Sequence, residues 1–206
     1  MKLMYDGQPV LEALIVRQAE HSFRRAVPSD APAIAAVVNA ATSGSGGIAG
    51  WTHEGHLWEG DRTNAAEILS MMKVPEATFL LRLDREEIAG SAYLKPMGTD
   101  AYMGMLAVRP LLQSGGVGKQ LIAECERIAR DEWRSDRMLI TVITSHRPEL
   151  VAFYQRRGYV RTGRRKEFER NHQGARVEGL GLEWMEKRLA PPARRPAGEV
   201  RDSGHA

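Results

Sequence analysis

The stretch Gln113-Ser114-Gly115-Gly116-Val117-Gly118-Lys119 sets three glycines at the start of an amphipathic run. Glycine lets the backbone adopt positive φ and approach a ligand closely, and the first turn of a helix carries N–H groups with no intrahelical partner. Added to the positive end of the helix dipole, these groups form a cradle for a phosphate or pyrophosphate. Tyr154, inside Phe153-Tyr154-Gln155-Arg156-Arg157-Gly158-Tyr159, is a second candidate. A phenol with its ordinary pKa of about 10 is protonated at neutral pH, so it can donate a proton to a leaving group or simply pack. Glu54, in Trp51-Thr52-His53-Glu54-Gly55-His56, is a carboxylate able to take a proton from a nucleophile, or a solvated loop residue.

Other chemistries fail on residue type or context. A Walker loop requires glycine at Gln113 and Ser or Thr at Gln120. The run from Gly44 to Ala49 matches a dinucleotide pattern in letters, but it follows a helix-like segment and no clear helix comes after it. His53 and His56 are rival bases to Glu54; as metal ligands they are spaced H-E-x-H, not the H-E-x-x-H of zinc proteases, so no metal site is expected. Trp51 and Trp58 read as packing residues or walls of a pocket.

The elements that must position these groups can be read from patterning. A first strand is expected over 21–26, then a helix with body 33–41, begun by Ser29 or Asp30 with Pro32 in its first turn. A second helix spans 62–73, and strands cover 79–83, 88–94 and 101–108, the last feeding the glycine turn. Leu121, Ile122, Cys125, Ile128 and Ala129 recur at helical spacing over 117–132, which puts Cys125 on a buried face as a small core residue. A strand over 138–144, a short helix over 149–157 and a closing pair over 159–168 and 178–188 complete the order. Residues 1–20 read as an N-terminal extension with a short amphipathic helix at 11–19, residues 21–189 as one domain, and residues 190–206, rich in Pro, Ala, Arg and Gly, as a disordered tail.

Composition bounds the class. With 206 residues, 43% hydrophobic and 27% charged, the chain suits one well-packed domain. No apolar run approaches the roughly 20 residues of a spanning helix, so no membrane partner is expected. Glu12 interrupts the short apolar piece near the N-terminus, and no signal peptide is read. A single cysteine fits a reducing compartment, and a cytoplasmic location follows as the expectation. The net charge of +3 is modest and Arg164-Arg165-Lys166 reads as a solvated hairpin face, so no nucleic-acid partner is expected.

Gln113-x-x-Gly116-x-Gly118 resembles the acyl-CoA pyrophosphate loop of the GCN5-related N-acetyltransferases (GNAT), whose pattern is (Arg or Gln)-x-x-Gly-x-(Gly or Ala). The context agrees: Leu106-Ala107-Val108 ends the preceding strand, a long amphipathic helix follows, then a strand, then a short helix carrying Tyr154. The resemblance implies an α/β fold, the GNAT acyl-CoA N-acyltransferase fold, with a mixed twisted central sheet of about six or seven strands and helices on both faces. It implies acetyl-CoA as acyl donor. Leu106 and Val108 would meet the pantetheine arm through their main chain beside Ala107, and Gln113, Ser114, Gly115, Gly116, Val117, Gly118 and Lys119 would hold the pyrophosphate. Tyr154 would protonate the departing thiolate, and Glu54, in a region that lines the acceptor site in the family, would help deprotonate the amine. The acceptor is a primary amine of a small molecule, peptide or protein, with a non-catalytic acyl-CoA-binding regulatory module as the alternative. Family members often dimerise. One departure stands out: the family often has Asn seven residues before the tyrosine, and here that residue is Arg147, able to meet a phosphate or to lie exposed.

Overall fold

The computed structural model describes residues 4–5, 8–9, 21–43, 60–144, 147–167 and 181–190. Two short strands, β1 (Met4–Tyr5) and β2 (Gln8–Pro9), pair antiparallel. The chain then runs through β3 (His21–Arg25), α1 (Ala31–Ser43), α2 (Ala65–Met72), β4 (Thr78–Asp84), β5 (Glu87–Met97) and β6 (Asp100–Val108). After β6 come α3 (Val117–Arg127), β7 (Arg137–Ile143), α4 (Pro148–Gln155), β8 (Val160–Glu167) and β9 (Gly181–Arg188). Strands β3 to β9 form one seven-stranded sheet in the order β3-β4-β5-β6-β7-β9-β8. Every pair is antiparallel except β6 with β7.

Alternation along the strands gives the sheet two apolar faces. On one, Leu80, Ala92, Leu94, Met103, Met138 and Ile140 pack against Val117, Leu121, Ile122 and Cys125 of α3 and Val151 and Tyr154 of α4. On the other, Phe79, Leu81, Ile88 and Tyr93 pack against Ile34, Val37 and Val38 of α1 and Ile68 of α2. This is the mixed α/β architecture expected from the sequence. Cys125 is fully buried as expected, and burial, followed by the neighbouring Glu124 and Glu126, pushes its thiol pKa up.

Element boundaries moved where side chains intervene. The expected helix over 62–73 begins at Ala65 because the Asn64 side chain accepts the Glu67 N–H at 3.0 Å. Asn39 of α1 clasps the Thr63 backbone on both sides, at 2.9 and 3.0 Å, and so fixes the approach to that cap. The helix expected over 117–132 is α-helical to Arg127 and finishes in one π turn, Ile128–Glu132. The turn after β4 places Arg85 at φ 56°. The helix expected over 11–19 and the tail from residue 191 lie outside the described residues.

One glycine decides how close α3 can come. A Cβ at Gly90 would lie 2.8 Å from the Ala107 carbonyl oxygen, 3.0 Å from Leu121 Cδ1 and 3.3 Å from Val117 Cγ1. Those atoms belong to β6 and to the first turns of α3, so the bare backbone at Gly90 lets the helix seat its N-terminus at the end of β6. Arg82 of β4 adds a tether, donating from Nε to Gln120 Oε1 at 2.9 Å while 8% exposed.

Candidate functional site

The site begins where the sheet divides. Parallel pairing of β6 with β7 comprises Ala101 with Met138 and Tyr102 with Leu139, and then stops. Beyond that point β6 pairs with β5 and β7 with β9, so from Met103 to Val108 the two central strands diverge as a fork. One edge of each strand therefore presents backbone N–H and C=O groups to the gap, and such groups require a partner. Within the fork β6 is bulged. Ser91 pairs with Ala107 and Tyr93 with Gly104, leaving two residues of β6 opposite one of β5, and Met105 takes φ 46°.

Past Val108 the chain turns through Pro110–Leu112, a 3₁₀ turn, into the glycine loop. Ser114 at φ 70° and Gly116 at φ 83° reverse the backbone before α3, and Gly116 is the residue at its N-terminal cap. The Gln120 N–H bonds the Gly116 carbonyl at 3.0 Å and closes the first helical turn. The N–H groups of Val117, Gly118 and Lys119 thus lie within that open turn. A Cβ at Gly116 would meet nothing within 4 Å, so what favours glycine there is its φ of 83° and not a neighbouring atom. Positive φ at alternate residues leading into an open helical turn is the backbone pattern of an anion nest, of a kind that takes a pyrophosphate. Gln113 lies at the loop's start but turns inward: its Nε2 donates to the Val108 carbonyl at 3.0 Å and ties the loop to the end of β6.

Tyr154 stands on α4 on the same face of the sheet. It is 8% exposed, and its ring meets Phe153 at 5.2 Å and Tyr159 at 5.6 Å between centroids, both edge-on. Phe153 links it to the cradle, since a Cβ at Gly118 would lie 3.8 Å from Phe153 Cζ and 3.7 Å from Val108 Cγ2. Tyr159 is anchored in turn. Its hydroxyl donates to Glu126 Oε1 at 3.1 Å, while Lys187 Nζ donates to Glu126 Oε2 at 2.6 Å. Burial, then the Glu126 charge, pushes the Tyr159 pKa far up, so it stays a neutral donor. The structure brings Leu106, Ala107, Val108, the Gln113–Lys119 loop and the helix of Tyr154 to one end of the fork.

Other expectations fare differently. Glu54, Trp51, His53, His56 and Trp58 lie outside the described residues. Arg147 is 3% exposed and ion-paired with Glu149 at the start of α4, so the exposed alternative is corrected. Residue 147 is the N-terminal cap position of α4, directly before Pro148 in its first turn. Sequence reasoning missed Arg82, Gly90 and Phe153, because each acts through a partner more than 15 residues away. It also missed Arg157, whose guanidinium stacks 3.5 Å from the Phe153 ring centre and donates to the Phe153 carbonyl at 2.6 Å. Burial lowers the Arg157 pKa from its ordinary value, with Arg156 adding to the effect.

Comparison with known proteins bears on this arrangement. Residues 52–173 match the family model described as an acetyltransferase (GNAT) domain. The chain belongs to the GNAT family. The structure is similar to the ribosomal-protein-S18-alanine N-acetyltransferase of Escherichia coli, at TM-score 0.60 and 14% identity, covering 88% of this chain and 98% of that one. It is also similar to yncA of Salmonella typhimurium, solved with its cofactor acetyl-CoA, at TM-score 0.59 and 16% identity, covering 86% and 99%. Ard1 of Thermoplasma volcanium matches at TM-score 0.61 and 17% identity, covering 82% and 98%. At these identities the likeness establishes the GNAT fold. No curated protein matches the chain by sequence. Family and fold together make acetyl transfer the general activity. No helix among the described residues is long and apolar enough to cross a membrane.

Proposed function

We propose that the chain transfers an acetyl group from acetyl-CoA to a primary amine by direct attack in a ternary complex. The observation that carries this reading is the fork between β6 and β7 opening onto the nest at Ser114–Lys119. An extended pantetheine arm fits the fork as an added strand, bonding the backbone of Leu106 and Val108, and its pyrophosphate fits the N–H groups of Val117, Gly118 and Lys119. The thioester then lies on the Tyr154 side of the fork. The amine nitrogen bonds to the thioester carbonyl carbon, the C–S bond breaks, and the thiolate takes the Tyr154 hydroxyl proton. The proton lost by the amine goes to Glu54, directly or through water. Amide and free CoA thiol are the products. Holding the two reactants in one frame supplies most of the acceleration, and a placed acid adds about 10²-fold.

Thiol release from acetyl-CoA against a panel of amines tests the reading. Tyr154→Phe should lower turnover by about 100-fold with acetyl-CoA affinity unchanged. Undiminished turnover in that variant removes Tyr154 from the role of acid. Binding of acetyl-CoA without amine-dependent thiol release would instead identify a non-catalytic acyl-CoA-binding module.

A further inference from the structure

The face of the fork opposite α3 and α4 carries side chains that the donor site does not use. Tyr102 projects there, packed beside Tyr93 and Met105. Its hydroxyl bonds Thr141 Oγ1 of β7 at 3.0 Å, a side-chain bridge at the point where backbone pairing ends. Gly104 makes that possible: a Cβ there would lie 2.9 Å from Tyr102 Cε1 and from its hydroxyl oxygen. Trp184 of β9, paired in register with Thr141, meets Tyr102 edge-on at 5.8 Å between centroids. Two flat rings thus wall the α1 side of the fork.

Each ring carries a cation. Lys95, the cross-strand neighbour of Tyr102, holds Nζ 5.7 Å from the centre of its ring, and the Arg164 guanidinium lies 5.8 Å from the centre of the Trp184 ring. Neither cation has a carboxylate partner among the described residues. Other cations of the domain do: Arg24 holds Asp30, Arg109 holds Glu87, Arg127 holds Glu124, Arg161 holds Glu183 and Lys187 holds Glu126. On the Tyr102 face Asp100 and Glu186 share Arg137, at 2.8 and 3.0 Å, a set with one negative charge in excess, which Lys95 and Arg164 together outweigh by one. The described wall is therefore aromatic and net positive. It repels an acceptor bearing several ammonium groups and attracts one bearing an anion.

From this juxtaposition we infer that the acceptor is a primary amine that also carries a carboxylate, held by Lys95 and Arg164 against the Tyr102 and Trp184 rings. The inference rests on the acetyl-transfer reading above and names the substrate class of that same site.

The test compares kcat/KM for amines offered in matched forms, the free carboxylate and its primary amide, beside spermidine as a polycation. The carboxylates should be preferred over their amides by about tenfold, the scale of one charge-assisted hydrogen bond, and spermidine should be the poorest. In Lys95→Gln and Arg164→Gln the ratio of carboxylate to amide should fall toward one with acetyl-CoA affinity unchanged by calorimetry, and Lys95→Arg should restore it. Preference for spermidine, or a carboxylate-to-amide ratio that both glutamine variants leave intact, overturns the inference while acetyl transfer stands. Failure of every amine to release thiol overturns acetyl transfer and this inference together.

Discussion

The two sides of the fork are built from different materials. On the α3 side the proposed recognition is main-chain work: the edge of β6 from Met103 to Val108, the reversals at Ser114 and Gly116, and the open turn of α3. On the α1 side it is side-chain work, with Tyr102, Thr141 and Trp184 forming the wall and Lys95 and Arg164 its charge. A backbone site tolerates changes of residue type as long as the path of the chain is kept. A side-chain site changes its ligand with each substitution. The contrast predicts that donor binding survives wide change of sequence, while the choice of acceptor changes with single side chains.

The sharpest way to break this contrast is to move the backbone. Gly90→Val should cost about 3 kcal/mol in chemical denaturation, since its Cβ would start 2.8 Å from the Ala107 carbonyl and press on Val117 and Leu121. Where the variant still folds, acetyl-CoA affinity should fall with it. Gly116→Val comes next. A β-branched residue at φ 83° costs about 1–2 kcal/mol, and the shift in the path of the loop should weaken acetyl-CoA binding about tenfold by calorimetry. Amine preference should not change in either variant. Gln113→Ala removes the tie to the Val108 carbonyl, and about 1 kcal/mol of donor affinity should go with it, again with amine preference intact. On the other side Thr141→Val leaves the Tyr102 hydroxyl without its bridge. Its effect should be the smallest, a two- to threefold rise in KM for the amine with acetyl-CoA affinity unchanged. A donor-side variant that altered amine preference would show that the two sides are not separable.

Legibility followed the same division. Glycine spacing, the strand before it and the amphipathic run after it are local signals, so the loop, β6 and α3 could be placed from residues 104–132 alone. The succession of elements along the chain followed from the same patterns, and the mixed sheet with helices on both faces from the resemblance that the loop and its context carry. Features that depend on distant pairing left no such trace. Nothing around Gly90 announces that Leu121 will press against it, and nothing around Gln120 announces Arg82, 38 residues away. Helical periodicity continues through Ile128 and Ala129 and conceals the switch to a π turn. Arg147 by type is able to meet a phosphate or to lie exposed, and only the assembled domain shows it buried. The acceptor wall was the least legible part, because its members come from positions 95, 102, 141, 164 and 184 and meet only when β5, β6, β7, β9 and β8 are assembled.

The two paired positions between β6 and β7 have a mechanical consequence. They divide the sheet into a four-stranded plate, β3 to β6, and a three-stranded plate, β7 to β9, joined along a short seam. A pantetheine arm bonded to β6 would act as mortar between the plates, so donor binding and folding draw on the same free energy. At a hundredfold excess over its dissociation constant, acetyl-CoA should add about 2.7 kcal/mol to the unfolding free energy. Hydrogen exchange should show that protection first at the amides of Ile140–Ile143 and Met103–Val108, the lips of the seam.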